Sequence, residues 1–175
     1  MLAARQHIFL CGFMGSGKST IGKALAKLLK RPFADLDHEI EGFFGKRIST
    51  IFETEGETAF REKEKQRLGV LLDKNEPHVI ALGGGTVCFH NNLEEIKKHG
   101  VLVFLDTSPE ILFNRIAKRQ TQRPLLKNLS GEALLKFIRD TLEQREPFYS
   151  QAHIRISNPD AKAETLYQYI LDIKK

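Results

Sequence analysis

Short continuous apolar runs alternate along this chain with stripes of helical spacing. Ile8-Phe9-Leu10-Cys11, Val79-Ile80-Ala81-Leu82 and Val101-Leu102-Val103-Phe104-Leu105 are uninterrupted, as strands of a parallel sheet buried on both faces are. Phe33 to Leu36 reads as a shorter strand and His153 to Ile156 as a last one. From Ser19 to about Lys30, Ile21, Leu25, Leu28 and Leu29 recur on one helix face, with lysines opposite and Pro32 as the stop. Thr50-Ile51-Phe52-Glu53 carries the capping-box pattern of a short helix. Glu57 to Leu72 predicts a longer one, with Phe60, Leu68, Leu71 and Leu72 near one face. Ser108-Pro109 sets a capping serine before a first-turn proline, and Ile111, Leu112 and Ile116 follow on one stripe. Leu134 to Glu146 and Ala161 to Ile173 predict two more helices. Alternating units of this kind predict an α/β fold, a three-layer α/β/α sandwich with a central parallel sheet and ligands beyond the strands' carboxyl ends. Gln120 to Gly131 lacks apolar periodicity and is the expected mobile loop.

The first strand runs into Gly12-Phe13-Met14-Gly15-Ser16-Gly17-Lys18-Ser19-Thr20. Gly, four residues, then Gly-Lys-Ser is the P-loop spacing, and here it stands between a strand and a helix, as the motif requires. Its backbone N–H groups form an anion nest at a helix N-terminus. Lys18 has the reach for β- and γ-phosphates, and the Ser19 hydroxyl suits Mg²⁺. The loop predicts a nucleoside triphosphate and leaves the second substrate open.

Composition narrows the remainder. A chain of 175 residues suits one domain with an adequate core. The excess of basic over acidic residues is 27 − 22 = 5. That fits a small anionic ligand, and no dense basic tract with interleaved aromatics points to nucleic acid. Cys11 and Cys88 have no metal or redox spacing, and Cys11 reads as an inert core thiol. The segment before the first strand is short for a secretion signal, and no apolar run nears the roughly 18 residues of a membrane span. The expected setting is cytoplasmic.

Weaker motifs follow the loop. Asp35-Leu36-Asp37 ends the second strand; in an extended chain both carboxylates share a face and can point into the cleft, one toward Mg²⁺ and one toward a substrate hydroxyl. Solvated turn aspartates are the alternative. Arg61, after Phe60 on a helix, has the forked donors that suit a planar carboxylate, though taken alone it reads as a surface ion-pair residue. Gly83-Gly84-Gly85 follows the third strand, either as a close backbone approach to ligand or as a plain turn. Because glycine stands where many P-loop proteins keep an acid, Asp35 is the better support for Mg²⁺. Arg115, Lys118, Arg119 and Arg123 precede Pro124-Leu125-Leu126, either as a solvated face or as a source of an arginine closing on the γ-phosphate. Arg145, by itself, reads as surface.

In order and spacing, these motifs resemble the shikimate kinase family over nearly the whole chain. The resemblance implies a P-loop NTPase fold like that of nucleoside-monophosphate kinases, in a single domain. It further implies a substrate-binding helical segment at about 38–66 and a lid at about 116–131. It implies ATP-dependent phosphorylation of the shikimate 3-hydroxyl with Mg²⁺, on the route to chorismate and the aromatic amino acids. Asp37 would hold substrate hydroxyls and act as base, with Lys18 and Arg123 also catalytic. Arg61 and Arg145 would clamp the carboxylate. Gly83, Gly84 and Gly85 would contact the ring, and Phe52 and Phe60 would wall the pocket. ATP would lie on Gly12, Gly15, Ser16, Gly17, Lys18, Ser19 and Thr20, with Arg123 reaching the phosphates from the lid and Arg115 and Pro159 toward the base. Ser19 and Asp35 would serve the metal. A small-molecule substrate, no nucleic acid, no membrane and a monomer are expected. Another P-loop kinase, acting on gluconate or a nucleoside monophosphate, is the nearest alternative; an ATP-binding module that handles nucleic acid is the second.

Overall fold

The computed structural model describes residues 6–118, 129–157 and 162–172. Five parallel strands, β1 (His7–Cys11), β2 (Phe33–Asp35), β3 (Val79–Ala81), β4 (Gly100–Leu105) and β5 (Ile154–Ile156), form one sheet in the order β2-β3-β1-β4-β5. The uninterrupted apolar runs have the expected cause. Along β1 and β4, Phe9, Cys11, Leu102 and Phe104 face one core while Ile8, Leu10, Val101, Val103 and Leu105 face the other. Successive side chains point to opposite faces, so a strand covered on both sides must be apolar at every position.

Helices α1 (Lys18–Leu29) and α7 (Ala163–Asp172) pack together on the second face. The first face is covered by α2 (Leu36–Phe44), α3 (Ile48–Leu72), the short 3₁₀ turn Thr86–Cys88 and α4 (Asn92–His99). A third cluster joins Phe13 to α5 (Pro109–Ala117) and α6 (Gly131–Tyr149) through Leu112, Ile116, Leu134 and Ile138. Cys11 is fully buried, and burial pushes its thiol up to about 12. A thiol reagent applied to the native protein is expected to label half-buried Cys88 and leave Cys11 unmodified until unfolding, as mass spectrometry of the labelled chain would read.

Several local expectations are corrected. α1 ends at Leu29 because Lys30 turns into the left-handed region at φ 54°, two residues before Pro32. Asp35-Leu36-Asp37 is not extended: Asp35 caps α2 by accepting from the Asp37 N–H, and Asp37 lies in the first turn. The Thr50 capping box does not start a helix, because α3 begins two residues earlier, after Arg47. Its two parts meet at a kink where Gly56 adopts φ 83° and ψ 173°, a conformation open to a residue without Cβ. α4 adds to the elements the apolar pattern predicts; Glu94 and Glu95 in its first turn and Lys97, Lys98 and His99 in its last complement the helix dipole.

Candidate active site

Carboxyl ends of three adjacent strands supply the site. After β1 the chain turns through the P-loop; after β2 it reaches Asp35; after β3 it enters Gly83-Gly84-Gly85. A cleft of about 970 Å³ lies over these ends and is lined from both sides of the fold, by Lys18 and Ser19, Asp35 and Asp37, Arg61 and Arg145.

Gly12 shows why the P-loop needs its first glycine. Its φ is 138°, and a Cβ there would sit 2.7 Å from the Leu105 carbonyl oxygen. Lys18 Nζ donates to the Gly12 and Phe13 carbonyls at 2.8 and 3.0 Å, so the ammonium is drawn across the loop's mouth. Ser16 Oγ is buried with no hydrogen-bond partner among the described residues. An orphaned hydroxyl beneath an anion nest is the mark of a loop built around an absent oxygen acceptor. Gly15, Gly17 and Thr20 line the same mouth. Arg115, on α5, donates to the Gly15 carbonyl at 3.2 Å, which places it at the loop's far side. Arg123 and Pro159 lie outside the described residues.

Ser19 Oγ donates to Asp35 Oδ2 at 2.5 Å, bringing a hydroxyl and a carboxylate together. Among the described residues no group of three or more His, Cys, Asp or Glu could hold a metal. Two hard oxygen donors without a protein cage suit a cation that keeps several waters and shares phosphate oxygens.

Asp37 faces the glycine loop, where a Cβ on Gly83 would fall 3.1 Å from its Oδ1. Burial is the main force raising its carboxyl to about 6; Asp35, Glu64 and Glu41 add to the rise while Lys18 opposes it. A carboxylate held in this range is suited to accept a proton near neutral pH.

Arg61 is not a surface residue. It is 8% exposed, with its guanidinium 4.0 Å from the Phe89 ring centroid and 5.0 Å from that of Phe60. Its NH1 donates to Glu64 at 2.8 Å, and its Nε and NH2 donate to Glu57. Glu64 is fully buried and also accepts from Thr86 Oγ1 at 2.6 Å. A Cβ on Gly85 would stand 2.8 Å from Arg61 NH2, so a larger residue there would push the guanidinium from its place. Arg145, from α6, reaches the same loop and donates to the Gly84 carbonyl at 3.0 Å. Phe52 stacks beside Phe60, with ring centroids 4.6 Å apart, and both line the cleft. Asp35, Asp37, Arg61, Arg145 and the glycine loop thus share one cleft with Lys18 and Ser19, while Arg115 stands behind the P-loop.

Glu64 is the participant that sequence reasoning does not find. A glutamate in Arg61-Glu62-Lys63-Glu64-Lys65 reads as one more charge on a solvated helix. Its spacing of three from Arg61 is the available signal, since that places both on one helix face.

Comparison with known proteins sets the chain beside one family of kinases. The family model described as "SKI: Shikimate kinase" matches residues 14–174. A shikimate kinase of Bacteroides fragilis is 47% identical over 147 residues, covering 84% of this chain and 82% of that protein. The crystal structure of shikimate kinase from Bacteroides thetaiotaomicron superposes with a TM-score of 0.88 at 38% identity, over 97% of this chain and 98% of that one. Shikimate kinase from Acinetobacter baumannii in complex with shikimate gives a TM-score of 0.86 at 40% identity, over 97% and 92%.

Proposed function

The chain belongs to the shikimate kinase family, and from that membership we propose which of its residues carry out the ATP-dependent phosphorylation of shikimate. The enzyme transfers a phosphoryl group to the 3-hydroxyl, using ATP with Mg²⁺, on the route to the aromatic amino acids. The observation that carries the residue assignment is the cleft that Asp37, Arg61 and Arg145 line together with Lys18.

Arg61 and Arg145 bind the substrate carboxylate from two sides. Their planar forks suit a carboxylate better than a lysine would. Phe89 and Phe60 hold the Arg61 plane, and Glu64 fixes its NH1, so the donor arrives preorganised. With the carboxylate anchored, the ring lies along the glycine loop and the 3-hydroxyl turns to Asp37. Asp37 accepts that proton as the oxygen attacks. Lys18 lies on the phosphate side, where it offsets the charge of the transferring group. Ser19 and Asp35 are the residues that would hold Mg²⁺, whose chemistry there is neutralisation of phosphate charge. Positioning and charge stabilisation thus account for the rate, with no covalent step on the protein.

Two unpaired thiols suit a reducing compartment such as the cytoplasm. No described helix is long and apolar enough to cross a membrane.

ADP release with Mg·ATP tests the acceptor assignment directly. Turnover is expected with shikimate and absent with gluconate and with nucleoside monophosphates. Turnover with one of those acceptors instead would keep the phosphate site and reassign the clamp, to the gluconate carboxylate or to a nucleotide's phosphate.

A further inference from the structure

The Gly84 carbonyl accepts two hydrogen bonds from one helix. Arg145 NH1 reaches it at 3.0 Å and the Tyr149 hydroxyl at 2.5 Å. The two residues are four apart on α6 and therefore share a face. Tyr149 is fully buried, and its ring stacks on Phe104 of β4 with centroids 4.6 Å apart and planes 24° from parallel. The hydroxyl is thus fixed from behind by the sheet. Gly84 itself packs between Arg145 and the P-loop, since a Cβ there would lie 3.2 Å from Arg145 NH1 and 3.5 Å from the Met14 backbone nitrogen. A peptide group is planar and trans, so pinning the Gly84 carbonyl also aims the Gly85 N–H, away from α6.

We propose that Tyr149 is a positioning residue for shikimate: its hydroxyl shares the Gly84 carbonyl with Arg145 and so sets the substrate-facing peptide of the glycine loop. A glycine run has little conformational preference of its own. Arg145 cannot fix it alone if the same guanidinium must also orient on an incoming carboxylate. The phenol has no such second duty. Burial raises its pKa well above the ordinary tyrosine value, so it remains a donor throughout the working pH range. The proposal rests on Arg145 being part of the carboxylate clamp.

Tyr149→Phe keeps the ring on Phe104 and removes only the donor. Its shikimate KM is expected to rise about five- to tenfold, the scale of one net hydrogen bond, while its ATP KM stays within about twofold. In an Arg145→Ala background the same substitution should have a different effect, because the two donors serve one acceptor. A shikimate KM unchanged in Tyr149→Phe overturns the proposal whatever happens to Tm, since a merely satisfied core hydroxyl would cost stability alone. Equal loss for both substrates, or a variant recovered only unfolded, overturns it as well by assigning the hydroxyl to folding. Arg145→Ala by itself separates the two ideas: if that variant leaves shikimate KM unchanged, the clamp has failed; if it raises KM and Tyr149→Phe does not, only the role of Tyr149 has failed.

Discussion

Asp37→Asn is expected to lower kcat by about 10²–10⁴, the range for removing a positioned general base. The amide keeps the shape of the carboxyl and the reach to substrate hydroxyls, so shikimate KM should move far less than kcat. The wild-type pH profile supplies the partner measurement. With Asp37 raised to about 6, log kcat/KM for shikimate should fall with a slope near one as pH drops below that value, and Asp37→Asn should lack this limb. A profile flat down to the ordinary carboxylate range would remove Asp37 as base. Stability should change in the opposite sense. The folded pKa lies above the ordinary 3.8, so the favourable contribution is full at pH values below that and is lost as pH rises through about 6. Above that pH the native state holds an ionised carboxylate crowded by Asp35, Glu64 and Glu41. Asparagine removes the strain, and stability at neutral pH should rise by on the order of 1–3 kcal/mol, read as a higher Tm. More stability with less activity is the pattern of a residue kept for chemistry.

Arg61→Ala should raise shikimate KM on the order of 10²-fold, because a preorganised fork to a carboxylate is lost inside a cleft. It should also destabilise the protein by about 3–5 kcal/mol, since Glu64 is left fully buried without its cation. The two effects separate in a double variant. Adding Glu64→Gln removes the orphaned charge and should recover most of the Tm, while shikimate KM stays high. Recovery of both would make Arg61 a structural ion-pair residue. An unchanged shikimate KM in the single variant would remove Arg61 from the clamp.

How far these residues are legible in the chain differs by residue. The P-loop is legible because its function is local: strand, glycine turn and helix are contiguous, and the lysine and serine sit at fixed steps within them. Asp35 and Asp37 are legible as a pair, but their conformation is not. An extended reading and a helical start place both carboxylates near the cleft, and three residues carry too little periodicity to choose. The structure chooses the helix, with Asp35 as its cap. Arg61 and Arg145 each read as surface residues when taken singly, because burial of an arginine depends on what packs over it. Phe89 and Glu64 cover the first, and neither role is written in the local pattern.

The sequence by itself determines the alternation of strands and helices, the phosphate loop and the residue types able to bind a carboxylate and accept a proton. These follow from periodicity and short spacing, which act within a few residues of chain. Only the tertiary structure decides that Glu64 is a buried partner and not a solvated charge, that the turn at Gly83-Gly84-Gly85 lies against Asp37, Arg61 and Arg145 in the wall of the cleft, and that Arg145 and Tyr149 meet the carbonyl of Gly84, more than sixty residues away. Those outcomes depend on which faces of α3 and α6 the sheet covers. Burial and pairing between distant segments are properties of the packed layers, and the local pattern encodes only the faces that make such packing favourable.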